Sequence, residues 1–180
     1  DETLSEQQMG EIAKTCQTLE YVSKLNKSLM LLSKIDNSQF ASVEKVCLNE
    51  ILYRYLDDYQ EVYDYKGITL DVHEKNTFNI TMNGTLAVVL ITNLLKNAFV
   101  HNIYKGKIQI EITSSNIRFG NTGKDEHLDE KHIFERFYQG SKKEGSTGLG
   151  LAIVDAICRQ SQLSIQYQFV KGWHWFDISC

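Results

Sequence analysis

The stretch Asn93-Leu94-Leu95-Lys96-Asn97-Ala98-Phe99-Val100-His101 decides how this chain folds. It closes a run that begins at Thr85 and holds Leu86, Val88, Val89, Leu90 and Ile91. A run that long and that apolar predicts a buried helix over residues 85–100, with Asn83 as its N-cap. Asn93 and Asn97 are four apart and share one helix face. Two side-chain amides on an otherwise buried helix cost desolvation unless something satisfies them. A hydrated Mg²⁺ with phosphate oxygens is one such partner, because the ion is hard and takes oxygen ligands. Backbone groups of a neighbouring strand or loop are the other. His101 and Asn102 fall where the helix ends.

Such a helix needs a sheet to cover it, and the flanking sequence supplies one. Ile68, Leu70 and Val72 alternate with Thr69 and Asp71, and Phe78, Ile80 and Met82 repeat the pattern, which predicts two strands ahead of the helix. After it, residues 107–113 alternate again with Ile108, Ile110 and Ile112 on one face, and residues 116–119 suit a partner strand. Upstream, a short strand over 43–48 leads to a helix capped by Asn49 that runs to about residue 64. Past residue 122 the chain turns polar, with a short helix expected over 129–137 and a basic, glycine-bearing stretch over 140–147. Gly148-Leu149-Gly150 then opens an apolar helix to about residue 159. Strands over 163–169 and 173–178 form a closing hairpin around Lys171-Gly172. The order is mixed and lacks the regular alternation of a doubly wound sheet. It predicts an α+β fold, an α/β sandwich whose mixed sheet is covered on one face by three helices.

The front of the chain is different. Met9, Ile12, Cys16, Leu19, Val22, Leu25, Leu29, Leu32 and Ile35 recur at steps of three or four, so residues 6–35 form one helix with Ser5 as its cap. At roughly 45 Å it is longer than a small domain needs. A second surface must cover the stripe: a partner helix in a bundle, or the chain's own domain folded back on it. Residues 36–42 read as a linker, which divides the chain into 1–38 and 39–180.

Composition limits the function classes. The 180 residues suffice for one ordinary domain with an extra element, and 42% hydrophobic content predicts a real core. Nineteen basic against 23 acidic side chains give a formal charge of -4, so no nucleic-acid partner is expected. No run of 18 apolar residues exists, so no membrane contact by these residues is expected. Four cysteines without a close pair read as reduced, mostly buried thiols.

Two more segments carry chemistry. Asn121-Thr122-Gly123 follows a strand directly; a polar side chain there, beside a glycine, can meet a flat heterocycle at close range, or can simply turn the chain. Gly145-Ser146-Thr147-Gly148-Leu149-Gly150 precedes an apolar helix, and glycines there expose N–H groups which, with the helix dipole, suit phosphate. It is not a Walker A loop, since no Gly-Lys-Ser/Thr closes it. No strand immediately precedes it, so it is not a dinucleotide fingerprint either.

Taken together, these segments resemble the sensor histidine kinases, within the wider gyrase, heat-shock chaperone and histidine kinase ATPase superfamily. Asn93 to His101 looks like the family's N box, and Asn121-Thr122-Gly123 stands where the first glycine box belongs. Phe134-Glu135-Arg136-Phe137-Tyr138 looks like the phenylalanine box, and Thr147 to Val154 closely matches the second glycine box. The resemblance covers residues 42–180. It also makes residues 6–35 similar to the second helix of the dimerisation hairpin. The acceptor histidine belongs on the first helix. No histidine precedes His73, so the chain is expected to be cut from something longer, with the acceptor before Asp1.

The resemblance implies ATP and Mg²⁺ as ligands and transfer of the γ-phosphate to a histidine. Asn97 would ligate the metal, with Asn93 beside it, and His101 would line the pocket. Asn121 would meet the adenine amino group and Gly123 would let the backbone approach. Phe134 and Phe137 would anchor a lid. Thr147, Gly148, Leu149 and Gly150 would face the phosphates, with Arg136, Lys142 and Lys143 as lid cations. Hydrolytic cousins carry a glutamate base where this chain has Asn93, which implies a transferase. The implied partners are a second copy through the dimerisation helices and a response regulator's receiver domain. The implied setting is the cytoplasmic part of an inner-membrane sensor. Four departures stand out: Asn121 replaces the usual aspartate, Asp125 a glycine, and Val100 and Gln139 two cations. They imply weaker nucleotide binding than the family norm, and leave a non-catalytic regulatory or binding module as the other reading.

Overall fold

The computed structural model describes residues 5–140 and 146–180. Helix α1 spans Glu6–Asp36 and starts in a capping box: Gln8 N–H donates to Ser5 Oγ at 3.2 Å, and Ser5 N–H donates to Gln8 Oε1 at 2.9 Å. Strand β1 (Glu44–Cys47) runs into helix α2 (Leu48–Val62), and a single 3₁₀ turn (Asp64–Lys66) leads to β2 (Thr69–Glu74). Strand β3 (Asn79–Met82) precedes helix α3 (Gly84–Val100), where Asn83 Oδ1 accepts from Leu86 N–H as the expected cap. Then come β4 (Lys107–Ile112), β5 (Asn116–Thr122), helix α4 (Gly150–Gln160), β6 (Ser164–Val170) and β7 (Trp173–Ser179).

Five strands form one mixed sheet in the order β2-β4-β5-β7-β6, with β2 and β4 parallel and the other pairs antiparallel. β1 and β3 pair separately as a two-stranded antiparallel sheet. Helices α2, α3 and α4 cover the five-stranded sheet, and α3 lies between the other two. The covered face is set by the period of two. Ile108, Ile110 and Ile112 of β4, Ile117 and Phe119 of β5, and Phe176 and Ile178 of β7 are all buried. At one end the apolar rows stop at Asn121 and His174. These two are register partners, and both are buried. That polar end of the core is where the site lies.

Three expectations need correction. Residues 129–137 form turns and no α-helix. Asp129 O accepts from both His132 and Ile133 N–H, which closes one turn, but Phe137 adopts φ +67° and gives its N–H to Gly148 O. Asn49 does not cap α2. The helix begins one residue earlier, and the buried Asn49 amide accepts from Phe78 N–H at 2.9 Å and donates to Asn76 O at 3.2 Å. The thiols are not mostly buried: Cys16 and Cys180 are exposed, Cys47 is partly so, and only Cys158 is buried. Burial pushes the Cys158 thiol up to about 12.

The far end of α1 lies on α4, burying Leu32 and Ile35, with Leu25, Leu29 and Leu31 half-buried. Met9, Ile12, Leu19 and Val22 on the first part of the stripe stay exposed. Of the two covers expected for this helix, the described residues supply the second over its last third.

Candidate functional site

A cavity of about 930 Å³ opens between α3, the polar end of the sheet, the start of α4 and one face of α1. Asn93, Asn97 and His101 reach it from α3 at steps of four, because one turn of helix repeats a face. Asn93 Nδ2 donates to Val89 O at 2.8 Å. A Cβ on Gly150 would sit 3.2 Å from Asn93 Oδ1, so this glycine lets the start of α4 pass close to the amide.

Asn121 comes from the end of β5 and is 2% exposed. Its Nδ2 donates one N–H to Thr122 O at 3.0 Å, which fixes the amide's orientation and leaves Oδ1 able to accept from a ligand. Thr122 is fixed in turn: its hydroxyl donates to Asn102 Oδ1 at 2.7 Å and accepts from Lys107 N–H at 2.8 Å. Gly123 lies behind, where a Cβ would come within 2.6 Å of the His174 ring. His174 Nε2 donates to Lys124 O at 3.0 Å, so its Nδ1 accepts from Tyr167 O–H at 2.8 Å. The strand end that carries Asn121 is thus braced on both sides.

The second glycine stretch is braced by backbone. Gly148 has φ +67°, and a Cβ there would fall 2.8 Å from Phe137 C and 2.9 Å from Tyr138 O. Gly148 O accepts from Phe137 N–H at 2.9 Å, and Gln139 Nε2 donates to Ser146 O at 2.7 Å. Gln139, read above as a lost cation, ties the two loops together. Leu149 is fully buried at the N-cap of α4. Its neighbours Thr147, Gly148 and Gly150 line the cavity, where the helix's first N–H groups lie.

Those of the expected site residues that are described therefore fall into three groups. Asn93, Asn97, His101, Asn121, Thr147, Gly148 and Gly150 line one cavity. Gly123, Phe134, Phe137 and Leu149 do not line it and support its walls. Phe134 packs on the core, but the Phe137 ring is 57% exposed, so Phe137 anchors through its backbone. Arg136 is turned away and forms an ion pair with Asp36 at the end of α1, 2.6 Å apart. Lys142 and Lys143 lie outside the described residues.

Other lining residues were not foreseen. Lys24, Lys27 and Ser28 of α1 face the cavity, as does Lys96 of α3. Burial, and then the ammonium of Lys24 alongside, hold Lys96 down to about 8. Lys66 ends the 3₁₀ turn and donates to Phe99 O at 2.7 Å and Val100 O at 3.0 Å. Its ammonium caps the negative end of α3, and burial lowers its pKa. The signal for Lys24 and Lys27 was their spacing of three beside an apolar stripe. For Lys96 it was a position between the two asparagines.

The described residues hold no cluster of three or more His, Cys, Asp or Glu placed to bind a metal. A hard cation here would rest on the Asn97 amide oxygen and on oxygens of a ligand, a donor set that suits Mg²⁺.

The family model for the histidine kinase-, DNA gyrase B-, and HSP90-like ATPases matches residues 82–174, just over half of the chain. The chain belongs to this ATPase family. Its match runs from the end of β3 through every wall of the cavity except the face given by α1, the turn before β2 and Phe176 of β7. Among curated proteins, the heme sensor protein HssS of Staphylococcus aureus (strain Newman) is 31% identical over 173 residues, 93% of this chain and 37% of its own length. HssS of Staphylococcus epidermidis (strain ATCC 12228) is 33% identical over 141 residues, 76% of this chain and 31% of its own. The chain thus spans about a third of these relatives. Among solved structures, the histidine kinase AdeS of Acinetobacter baumannii superposes with a TM-score of 0.73 at 21% identity, covering 98% of this chain and 84% of that one. Histidine kinase ThkA, solved in complex with the response regulator protein TrrA, gives 0.72 at 18% identity, covering 98% and 52%. At these identities the likeness concerns the fold. The ATPase domain shares it with sensor histidine kinase catalytic domains. No described helix is long and apolar enough to cross a membrane.

Proposed function

We propose that this chain is the ATP-binding part of a protein-histidine kinase, together with one dimerisation helix. The observation that carries the reading is the single cavity into which α3, β5 and the start of α4 send Asn93, Asn97, Asn121, Gly148 and Gly150. These residues are far apart in sequence and each suits a different part of Mg-ATP. Asn121 Oδ1 accepts from the adenine amino group. His101 lines the pocket above it. The N–H groups at the glycine turn and the α4 dipole hold the phosphates. Asn97 holds Mg²⁺, which when bound neutralises charge on the phosphate oxygens. Phe134, Leu149 and the backbone of Phe137 keep the turn in place. Arg136, Lys142 and Lys143 belong to the lid, and Arg136 reaches a phosphate only after leaving Asp36.

The chemistry favoured is transfer to a histidine nitrogen. An amide cannot take a proton from water, so Asn93 leaves the position four residues before Asn97 without a general base. The imidazole is itself a fair nucleophile, and the domain's work is to aim the γ-phosphate at it. In this reading residues 1–38 join a second copy through the dimerisation helices, and residues 39–180 carry catalysis. The phosphoryl group then passes to an aspartate of a response regulator receiver domain, the type of partner with which ThkA was solved. Full-length membrane anchoring, with this part on the cytoplasmic side, belongs to the same proposal.

Calorimetry with Mg-ATP tests the binding step. One-to-one binding is expected, and Asn97→Ala should weaken it at least about tenfold, since a lost charge-assisted contact is worth that much. Label from γ-³²P-ATP should then reach a histidine-bearing hairpin mixed with this chain. No binding at millimolar Mg-ATP would sink the proposal. Binding without transfer would favour a regulatory module.

A further inference from the structure

The family's usual phosphate cation is missing, since position 100 is a valine. One helical turn earlier, on the same face of α3, stands Lys96, and its side chain lines the cavity between Asn93 and Asn97. It is half-buried. Lys24 of α1 lines the same cavity, and Lys27 lines it one turn further along α1. Among the described residues no carboxylate forms a salt bridge with Lys96. The half-buried ammonium of Lys96 and the exposed one of Lys24 repel, and an anion placed between them turns the repulsion into two attractions. The geometry asks for an anion with several oxygens near Asn97.

We propose that Lys96 of α3, with Lys24 and Lys27 of α1, forms a binding site for the terminal phosphate of a nucleoside triphosphate, and that this site distinguishes ATP from ADP. The inference rests on the nucleotide-binding reading above and deepens it. Asn121 and the glycine turn grip what ATP and ADP share. The lysine group touches only the phosphate that ADP lacks. Because two of its three members stand on α1, a triphosphate also ties that helix to the catalytic domain, and its departure as ADP loosens the tie. The cation lost at Val100 is thereby replaced from one turn away and from a second element.

The experiment is calorimetry of Mg-ATP and Mg-ADP with the wild-type chain, Lys96→Met, Lys96→Arg and the pair Lys24→Met with Lys27→Met. A charge-assisted contact to phosphate lost in K96M should cost ATP affinity about tenfold, with ADP affinity changed less than about twofold. K96R should retain most of the ATP preference, and the α1 pair should lose part of it. Circular dichroism on each variant checks that the fold persists, and the α1 pair, lying on an exposed helix face, keeps the test decisive if K96M folds poorly. Equal losses for ATP and ADP, or an ATP preference untouched by K96M and by the α1 pair, would overturn this inference alone. A wild-type chain that binds neither nucleotide would overturn it together with the reading it rests on.

Discussion

Holding the Lys96 ammonium half-buried beside that of Lys24 costs the folded chain free energy while both carry protons. Lys96 is held down to about 8, against an ordinary value of 10.5. Below pH 8 the folded and unfolded chains both bind the proton, and the cost is present in full. Between pH 8 and 10.5 the unfolded chain binds the proton and the folded chain has released it, so stability rises with pH in that window. Lys96→Met removes the repulsion at all pH values. It should therefore be more stable than wild type at pH 7, with the gap closing by about pH 10, read as urea midpoints across the range. A gap of constant size would show that the pair is not under strain. The asparagines and glycines of the site were legible because each is anomalous where it stands: amides on an apolar helix, glycines before one. The lysines were not, because a lysine on a helix face usually means solvated charge. Only the docking of α1 on α4 brings Lys24 and Lys27 to the cavity.

Helix α3 presents Asn93, Asn97 and His101 correctly only if its last turn is held, and its terminal carbonyls need donors. Lys66 supplies them from a separate element, with Nζ bonded to Phe99 O and Val100 O and lying 5.5 Å from the Tyr63 ring centroid. Lys66→Met keeps the aliphatic stem and removes the cap. It should lower unfolding free energy by about 2 kcal/mol, since charged hydrogen bonds to buried carbonyls are lost. Chemical denaturation measures this, and a loss below about 0.5 kcal/mol would mean that water replaces the ammonium. Elements with a strong period, such as α1, α3, β4 and the β6–β7 hairpin, were readable because burial enforces that period. Residues 129–137 were misread because Ile133, Phe134 and Phe137 have helical spacing, while Gly148 O, eleven residues beyond Phe137, captures the N–H that would continue the helix. Asn49 was misread for a similar reason: its amide serves the turn before β3, which sequence proximity cannot reveal.

Across the whole molecule, α1 is held to the rest of the chain by two different kinds of contact. Leu32 and Ile35 bury apolar surface on α4, and Asp36 pairs with Arg136 across a hundred residues of chain. The apolar contact sets position, because it is independent of ligand and salt. The Asp36–Arg136 pair is different: both side chains are about half exposed, so it adds at most about 1 kcal/mol and is screened by salt. It therefore restrains the loop that carries Phe137 and Tyr138 without determining the fold. Asp36→Ala should leave the global unfolding free energy within about 1 kcal/mol of wild type. It should speed amide exchange at Phe137, whose N–H is bonded to Gly148 O, by up to about fivefold, the most that such a pair can contribute. Salt at 0.5 M should give the wild-type chain the same exchange rate, while the β5 and β7 amides stay unchanged in both cases. An Asp36→Ala chain that exchanges like wild type at low salt would mean that the glycine turn alone restrains the loop. Arg136 would then be as available to a phosphate as its exposure suggests.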